Sequence, residues 1–251
     1  MTFSFDLTGR TALVTGASSG LGARFGRILA ASGARVALGA RRADRLAALA
    51  AGIGANAAAM PMDVAREADI IAGFDAAEAA FGGPVDTIIA NAGIDGAGLA
   101  TAISEEEIDR TLAINLKGAI LTAREGAKRM MANGVTNGRI VMIASITAFE
   151  PSPGLVAYAA SKAGVVQAAR SMAREWARTG ICVNTVSPGY IRTAINDAWF
   201  DTEPGRKQIA RFPRRRLMGE EGLDAMILFL CSDAAAFVTG ADFVCDDGQT
   251  L

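Results

Sequence analysis

The chain has 251 residues, with 25 basic against 26 acidic side chains and no histidine. Without an imidazole, Ser-His-Asp and Cys-His nucleophiles, HExxH zinc sites and every His-ligated metal are excluded, so any catalytic proton must travel through another group. A hydrophobic fraction of 51% with 20% charged residues is the balance of a globular domain long enough to bury a full core.

Taken in chain order, short apolar β-type runs alternate with Ala-rich helical stretches. Strands are predicted at 10–15, 35–39, 57–62, 85–90, 139–144, 181–186 and 241–245. Helices are predicted at about 20–32, 43–51, 66–81, 104–132, 157–179 and 220–232. This alternation predicts a single α/β domain, a Rossmann-type doubly wound sheet of seven parallel strands with helices on both faces. The first, fourth, fifth and sixth strands are continuous apolar runs, as strands covered on both faces should be. One segment breaks the rhythm. From 189 to about 219 the chain passes Pro204 and Pro213 without a clean strand, which predicts a lobe beyond the sixth strand, where the ligand crevice of an open parallel sheet lies.

Cys182, Cys231 and Cys245 are far apart and form no CxxC pair, so they read as free thiols rather than a disulfide framework or a metal site. The first ten residues lack an apolar core, and no stretch reaches about 18 uninterrupted apolar residues, which predicts a cytoplasmic protein outside membranes. With no broad basic stripe, nucleic-acid binding is not expected.

The first strand runs into Thr15-Gly16-Ala17-Ser18-Ser19-Gly20-Leu21-Gly22 and then a helix. Glycines in this setting let backbone approach a pyrophosphate that the helix N-terminus stabilises. Tyr158 and Lys162 stand four apart on a predicted helix and therefore share a face. A tyrosine titrates near 10, but a neighbouring ammonium favours the phenolate, so the pair can serve where a histidine otherwise would. Ser145, just past the fifth strand, can hydrogen-bond a substrate carbonyl oxygen, or simply cap a turn.

Together with Asp63-Val64 after the third strand, Asn91-Ala92-Gly93 after the fourth, Asn115 in Ile-Asn-Leu-Lys-Gly, Ser145, Tyr158-Ala-Ala-Ser-Lys162 and Pro188-Gly189 after the sixth, the glycine turn makes the chain resemble the short-chain dehydrogenase/reductase family over essentially its whole length. The resemblance extends to 3-oxoacyl reductase-like and ketone- or alcohol-acting members. It implies hydride transfer between a nicotinamide cofactor and a ketone or secondary alcohol. Ser145 would then orient the substrate oxygen, Tyr158 act as general acid or base, Lys162 lower the tyrosine pKa and hold the nicotinamide ribose, and Asn115 anchor a proton-relaying water. Cofactor contacts are implied for Gly16, Ser18, Ser19, Gly20, Leu21, Gly22, Arg41, Arg42, Asp63, Val64, Asn91, Ala92, Gly93, Tyr158, Lys162, Pro188, Gly189, Ile191 and Thr193.

At the end of the second strand, the position of an acidic residue that would select NAD(H) is Ala40, followed by Arg41 and Arg42. Because an arginine fork pairs with a 2′-phosphate, NADP(H) is favoured, with NAD(H) possible. Substrate walls are expected from 146–157, including Ile146 and Glu150, and from Tyr190, Trp199 and Phe200, with Ser145 and Tyr158 at the reacting end. Arg206, Lys207, Arg211, Arg214, Arg215 and Arg216 either attract the phosphates of a 3-oxoacyl thioester or form a solvated surface balanced by Glu203, Glu220 and Glu221. A non-catalytic dinucleotide sensor is a further alternative, although the complete Asn-Ser-Tyr-Lys set speaks for turnover. Family members with two such long helices form homodimers or homotetramers.

Overall fold

The computed structural model describes residues 5–192 and 197–251. In chain order the elements are β1 (Thr11–Thr15), α1 (Gly20–Ala31), β2 (Arg35–Ala40), α2 (Ala43–Ile53), β3 (Ala57–Pro61), α3 (Glu67–Phe81), β4 (Thr87–Ala90), α4 (Glu105–Leu112), α5 (Gly118–Ala132), β5 (Arg139–Ile143), α6 (Val156–Glu175), β6 (Cys182–Pro188), α7 (Asp197–Phe200), α8 (Glu203–Arg211), α9 (Asp224–Cys231) and β7 (Asp242–Cys245). The strands form one sheet in the order β3-β2-β1-β4-β5-β6-β7, and every pairing is parallel.

Successive strand residues point to opposite faces, so each strand feeds two cores. Val14, Leu38, Ile89 and Val141 face Phe25 and Leu29 of α1, Leu46 of α2 and Ile227 of α9. Their neighbours Leu13, Ile88 and Ile140 face Ile70 and Phe74 of α3, Met130 of α5 and Val165 of α6. An Arg24–Asp224 ion pair with nitrogen–oxygen distances of 2.7 and 2.6 Å ties α1 to α9. The sheet order reverses between β1 and β4, and a ligand crevice is expected at the carboxyl ends of strands flanking such a switch.

The helix expected over 104–132 is interrupted. Between α4 and α5 lies one π-helical turn, Ala113–Lys117, in which the Gly118 amide reaches back to the carbonyl of Ala113. Asn115 sits at its centre, 1% exposed, and the extra residue in the turn directs its amide inward. The helix expected over 220–232 likewise begins as a 3-10 turn, Glu220–Leu223, before α9. The lobe after β6 contains two short helices. Thr202 caps α8 by accepting from the Gly205 amide at 3.1 Å, and a proline in the first turn fixes the helical start.

Phe74 is fully buried between α3 and the sheet. Phe74→Ala is expected to cost about 3–5 kcal/mol in equilibrium urea unfolding, with Phe74→Leu costing clearly less because it leaves a smaller cavity.

Candidate active site

The residues singled out from the sequence come together along one edge of the sheet. The glycine turn follows β1, Arg41 and Arg42 follow β2, Asp63 and Val64 follow β3, Asn91 to Gly93 follow β4, Ser145 and Ile146 follow β5, and Gly189 to Ile191 follow Pro188, the last residue of β6. Thr193 lies outside the described residues.

Thr15 joins the glycine turn to the end of β4. Its hydroxyl accepts from the amides of Asn91 and Ala92 at 3.0 and 3.1 Å, and the Asn91 side-chain amide donates to the Thr15 carbonyl at 3.0 Å. Gly16 has φ +70°, and a Cβ on Gly22 would stand 2.4 Å from the Gly16 carbonyl oxygen and 2.6 Å from Asn91 Nδ2. The turn is therefore packed too closely for any side chain at Gly22. The N-terminus of α1 carries neither a side-chain cap nor an acidic residue in its first turn, whereas Ser104 caps α4 and Thr202 caps α8. Uncapped N–H groups with no acidic side chain in their own turn suit a phosphate. The Arg42 guanidinium crosses the turn and donates to the hydroxyls of Ser18, at 3.0 and 2.7 Å, and Ser19, at 2.7 Å. Arg41 is exposed and makes no hydrogen bond or ion pair among the described residues. Asp63 closes its own turn by accepting from the Ala65 amide at 3.0 Å, while Val64 packs over Gly118. Backbone amides, two serines and two guanidinium groups form a donor set that fits the phosphates and ribose of a nicotinamide dinucleotide.

Lys162 is buried, and its ammonium donates to the Ile143 carbonyl at 2.8 Å, at the end of β5. It also lies 5.5 Å from the centre of the Tyr158 ring. Burial pushes the Lys162 ammonium down to about 8. Burial pushes the Tyr158 phenol up, hydrogen bonding with Ser145 pulls it down, and the negative forms of Tyr190 and Asp95 oppose its ionisation. The lowering of Tyr158 expected from Lys162 is not found: Lys162 is not among the groups that shift it, and desolvation, which disfavours the charged form of each group, sets both directions. Ser145 begins a 3-10 turn and accepts from the Thr147 amide at 3.2 Å, so its serine hydroxyl retains a donor.

Asn115 spends both ends of its amide on protein groups. Oδ1 accepts from the Ile94 amide and Nδ2 donates to the Ile94 carbonyl, each at 2.8 Å, with a further contact to the Ser161 hydroxyl at 3.2 Å. Ser161 in turn donates to the Tyr158 carbonyl at 2.6 Å. Asn115 therefore links the segment following β4 to the helix bearing Tyr158. Ser161 was not singled out in the sequence, although its place beside Lys162 within the Tyr-Ala-Ala-Ser-Lys run was a usable signal.

The outer residues are less closely gathered. Tyr190 is half-buried, stacked on Phe212 at 5.7 Å and edge-on to Phe200 at 6.1 Å, with its hydroxyl 3.3 Å from Ser152 Oγ. Glu150 is exposed, and Trp199, 48% exposed, donates its indole N–H to Gln208 of α8 at 3.0 Å. These two belong to the surface rather than to a buried wall. Within the basic cluster, Arg214 and Arg216 both pair with Asp247, Lys207 pairs with Glu203 and Arg206 donates to the Asp201 carbonyl. The balancing carboxylates are thus Asp247 and Glu203 rather than Glu220 or Glu221. Gln249, unmarked by any sequence motif, grips the Tyr190 backbone at both its N–H, 2.6 Å, and its carbonyl, 3.1 Å. No group of three or more metal-binding side chains and no helix long and apolar enough to cross a membrane occurs among the described residues.

The family model for short chain dehydrogenases matches residues 10–204. A D-threitol dehydrogenase of Mycolicibacterium smegmatis is 39% identical over 252 residues, covering 99% of this chain and 96% of that protein. A 3-oxoacyl-acyl-carrier-protein reductase of Escherichia coli is 35% identical over 246 residues, covering 98% and 99%. Among solved structures, a gluconate 5-dehydrogenase from Burkholderia cenocepacia in complex with NADP and tartrate superposes with a TM-score of 0.92 at 32% identity, covering 98% of this chain and 97% of that one. With the matched family spanning most of the sheet and relatives aligned over nearly the full length, the chain belongs to the short-chain dehydrogenase family and is an NAD(P)-dependent oxidoreductase acting on CH–OH and C=O groups.

Proposed function

We propose that the protein interconverts a ketone and a secondary alcohol, using NADP(H) in preference to NAD(H), with Tyr158 as general acid and base. The observation that carries this reading is the half-buried Tyr158 and the buried Lys162 beside Ser145 in a chain without histidine. When bound, the reduced cofactor supplies a hydride to the carbonyl carbon, and the oxidised form supplies a hydride acceptor and a positive charge. Ser145 Oγ donates to the substrate oxygen and holds it beside Tyr158. During reduction Tyr158 Oη gives its proton to that oxygen, and during oxidation it takes the proton back. The raised pKa of Tyr158 keeps its phenol protonated at neutral pH, the state that reduction requires. Lys162 stabilises the negative charge that builds up on Tyr158 Oη as the proton leaves, and supplies donors for the nicotinamide ribose. Asn115 fixes the height of α6 against the β4 exit, and a relay water at its turn remains part of this reading.

For the cofactor, Ala40 places no carboxylate at the end of β2, while Arg41 is free and Arg42 is poised over the turn serines. A 3-oxoacyl thioester is a second substrate reading, supported by the Escherichia coli relative, but the pairing of Arg214 and Arg216 with Asp247 removes much of the charge that would recruit a phosphate-bearing carrier. Phe237, Val244 and Leu251 are exposed apolar side chains at and around the edge strand β7, which supports homo-oligomer formation through this edge.

Tyr158→Phe is expected to lower kcat for carbonyl reduction by roughly 100-fold to 10,000-fold, and reduction unimpaired in this variant would overturn the mechanism. The pH profile carries a sign. Because burial lowers Lys162 to about 8, its ammonium is present below that value and lost above it, so kcat/KM for reduction is expected to be level through neutrality and to fall above about 8. Lys162→Arg, slower but charged throughout, should lose this fall. For the cofactor, kcat/KM should favour NADPH over NADH, and Ala40→Asp with Arg41→Ala should shift the ratio towards NADH by about tenfold or more. A clear NADH preference in the parent protein would sink the NADP(H) assignment.

A further inference from the structure

Resting on the oxidoreductase reading, we propose that the substrate is an uncharged polyol, and that the hydroxyl next to the reacting carbinol is bound by the Tyr190 and Ser152 side chains. Tyr190 directly follows Pro188-Gly189 at the exit of β6, and Ser152 lies on the loop that joins Ser145 to Tyr158. Their hydroxyls meet at 3.3 Å, so the two segments that flank the catalytic residues touch through a pair of half-buried OH groups.

The phenol is held in place before any substrate arrives. Its ring is fixed between Phe212 and Phe200, and its backbone is fixed at both polar atoms by Gln249, with the Met218 amide adding a 3.3 Å bond to the Tyr190 carbonyl. One bond between two hydroxyls consumes one donor and one acceptor, leaving the other donor and several lone pairs unfilled. An apolar alcohol would cover these groups without answering them, whereas a neighbouring substrate hydroxyl supplies both a donor and an acceptor. A site built around such groups discriminates strongly against the analogue that lacks the hydroxyl.

Charge narrows the class further. Asp95 follows Ile94, the residue gripped by Asn115, and its carboxylate is felt at Tyr158. A substrate carrying its own carboxylate would be repelled there, and among the lobe's guanidinium groups Arg192 is already paired with Asp201, and Arg214 and Arg216 with Asp247.

The test compares oxidation of a neutral straight-chain tetritol with that of 2-butanol, each with NADP+ and NAD+, in the parent protein, Tyr190→Phe and Ser152→Ala. Tyr190→Phe keeps the ring stack, and unfolding temperature together with NADPH binding by fluorescence confirm an intact fold in each variant. In the parent, kcat/KM should favour the tetritol, and this ratio should fall by about tenfold or more in each variant, whatever common factor lowers both activities. A parent that prefers 2-butanol, a ratio unmoved in both variants, or a preference for a polyhydroxy acid over the tetritol overturns the proposal while leaving the alcohol–ketone reading intact. Turnover of no alcohol and reduction of no ketone with either cofactor would overturn that underlying reading itself.

Discussion

The ammonium of Lys162 lies only 4% exposed, on a helix packed against the sheet, and donates to the Ile143 carbonyl at 2.8 Å. A buried cation of this kind is tolerated only when its surroundings hold it in place, because the solvation it has lost is not recovered by one hydrogen bond. Its surroundings are rigid accordingly. The Ile143 carbonyl belongs to a strand paired on both sides, and Gly93 leaves room beside the group, since a Cβ there would lie 3.4 Å from Asn115 Oδ1 and 3.7 Å from Lys162 Nζ. The same desolvation that lowers Lys162 raises Tyr158. At neutral pH these shifts leave the phenol protonated and the ammonium the major form, the pairing on which the proposed reduction relies.

From that point the remainder of the site follows as a set of braces. Asn115 takes an inward position through one π-helical turn, and its amide clips Ile94. Thr15 and Asn91 weld the glycine turn to the exit of β4. Each brace joins segments that lie far apart in sequence yet neighbour one another at the carboxyl edge of a parallel sheet. This is why the fold offers so many attachment points within one crevice.

Strands β1, β4, β5 and β6 were legible because each is a short apolar run covered on both faces. β1, whose five residues are all buried, differs from expectation by a single residue at its start. The catalytic candidates were legible because Tyr158 and Lys162 share a helix and Ser145 directly follows a buried strand. The π turn was not, because its interruption comes from Asn115 bonding to Ile94, some twenty positions away, and hydrophobic periodicity carries no trace of that contact. The electrostatics were half legible. The identity of the partners could be read from spacing, but the direction of the Tyr158 shift depends on how much water is excluded, which only packing reveals. Trp199 illustrates the reverse error: an aromatic residue in a lobe suggests a wall, yet its indole is spent on Gln208.

The last strand shows how distant sequence shapes the substrate end. After β7 the chain turns at Asp246, whose carboxylate accepts from the amides of Gly248 and Thr250 at 2.9 Å each. That turn presents Asp247 to Arg214 and Arg216 and Gln249 to the Tyr190 backbone. The residues that hold Tyr190 and anchor the lobe therefore come from the final six positions of the chain, beyond the matched segment 10–204. The groups that brace the lobe thus lie far in sequence from the residues proposed to carry the chemistry. The proposed catalytic pair is set by α6 and β5, within the packed core, whereas Tyr190 is held by a terminal turn and an exposed lobe. Such segments can change without disturbing the sheet, so one catalytic frame can be matched to alcohols of different polarity.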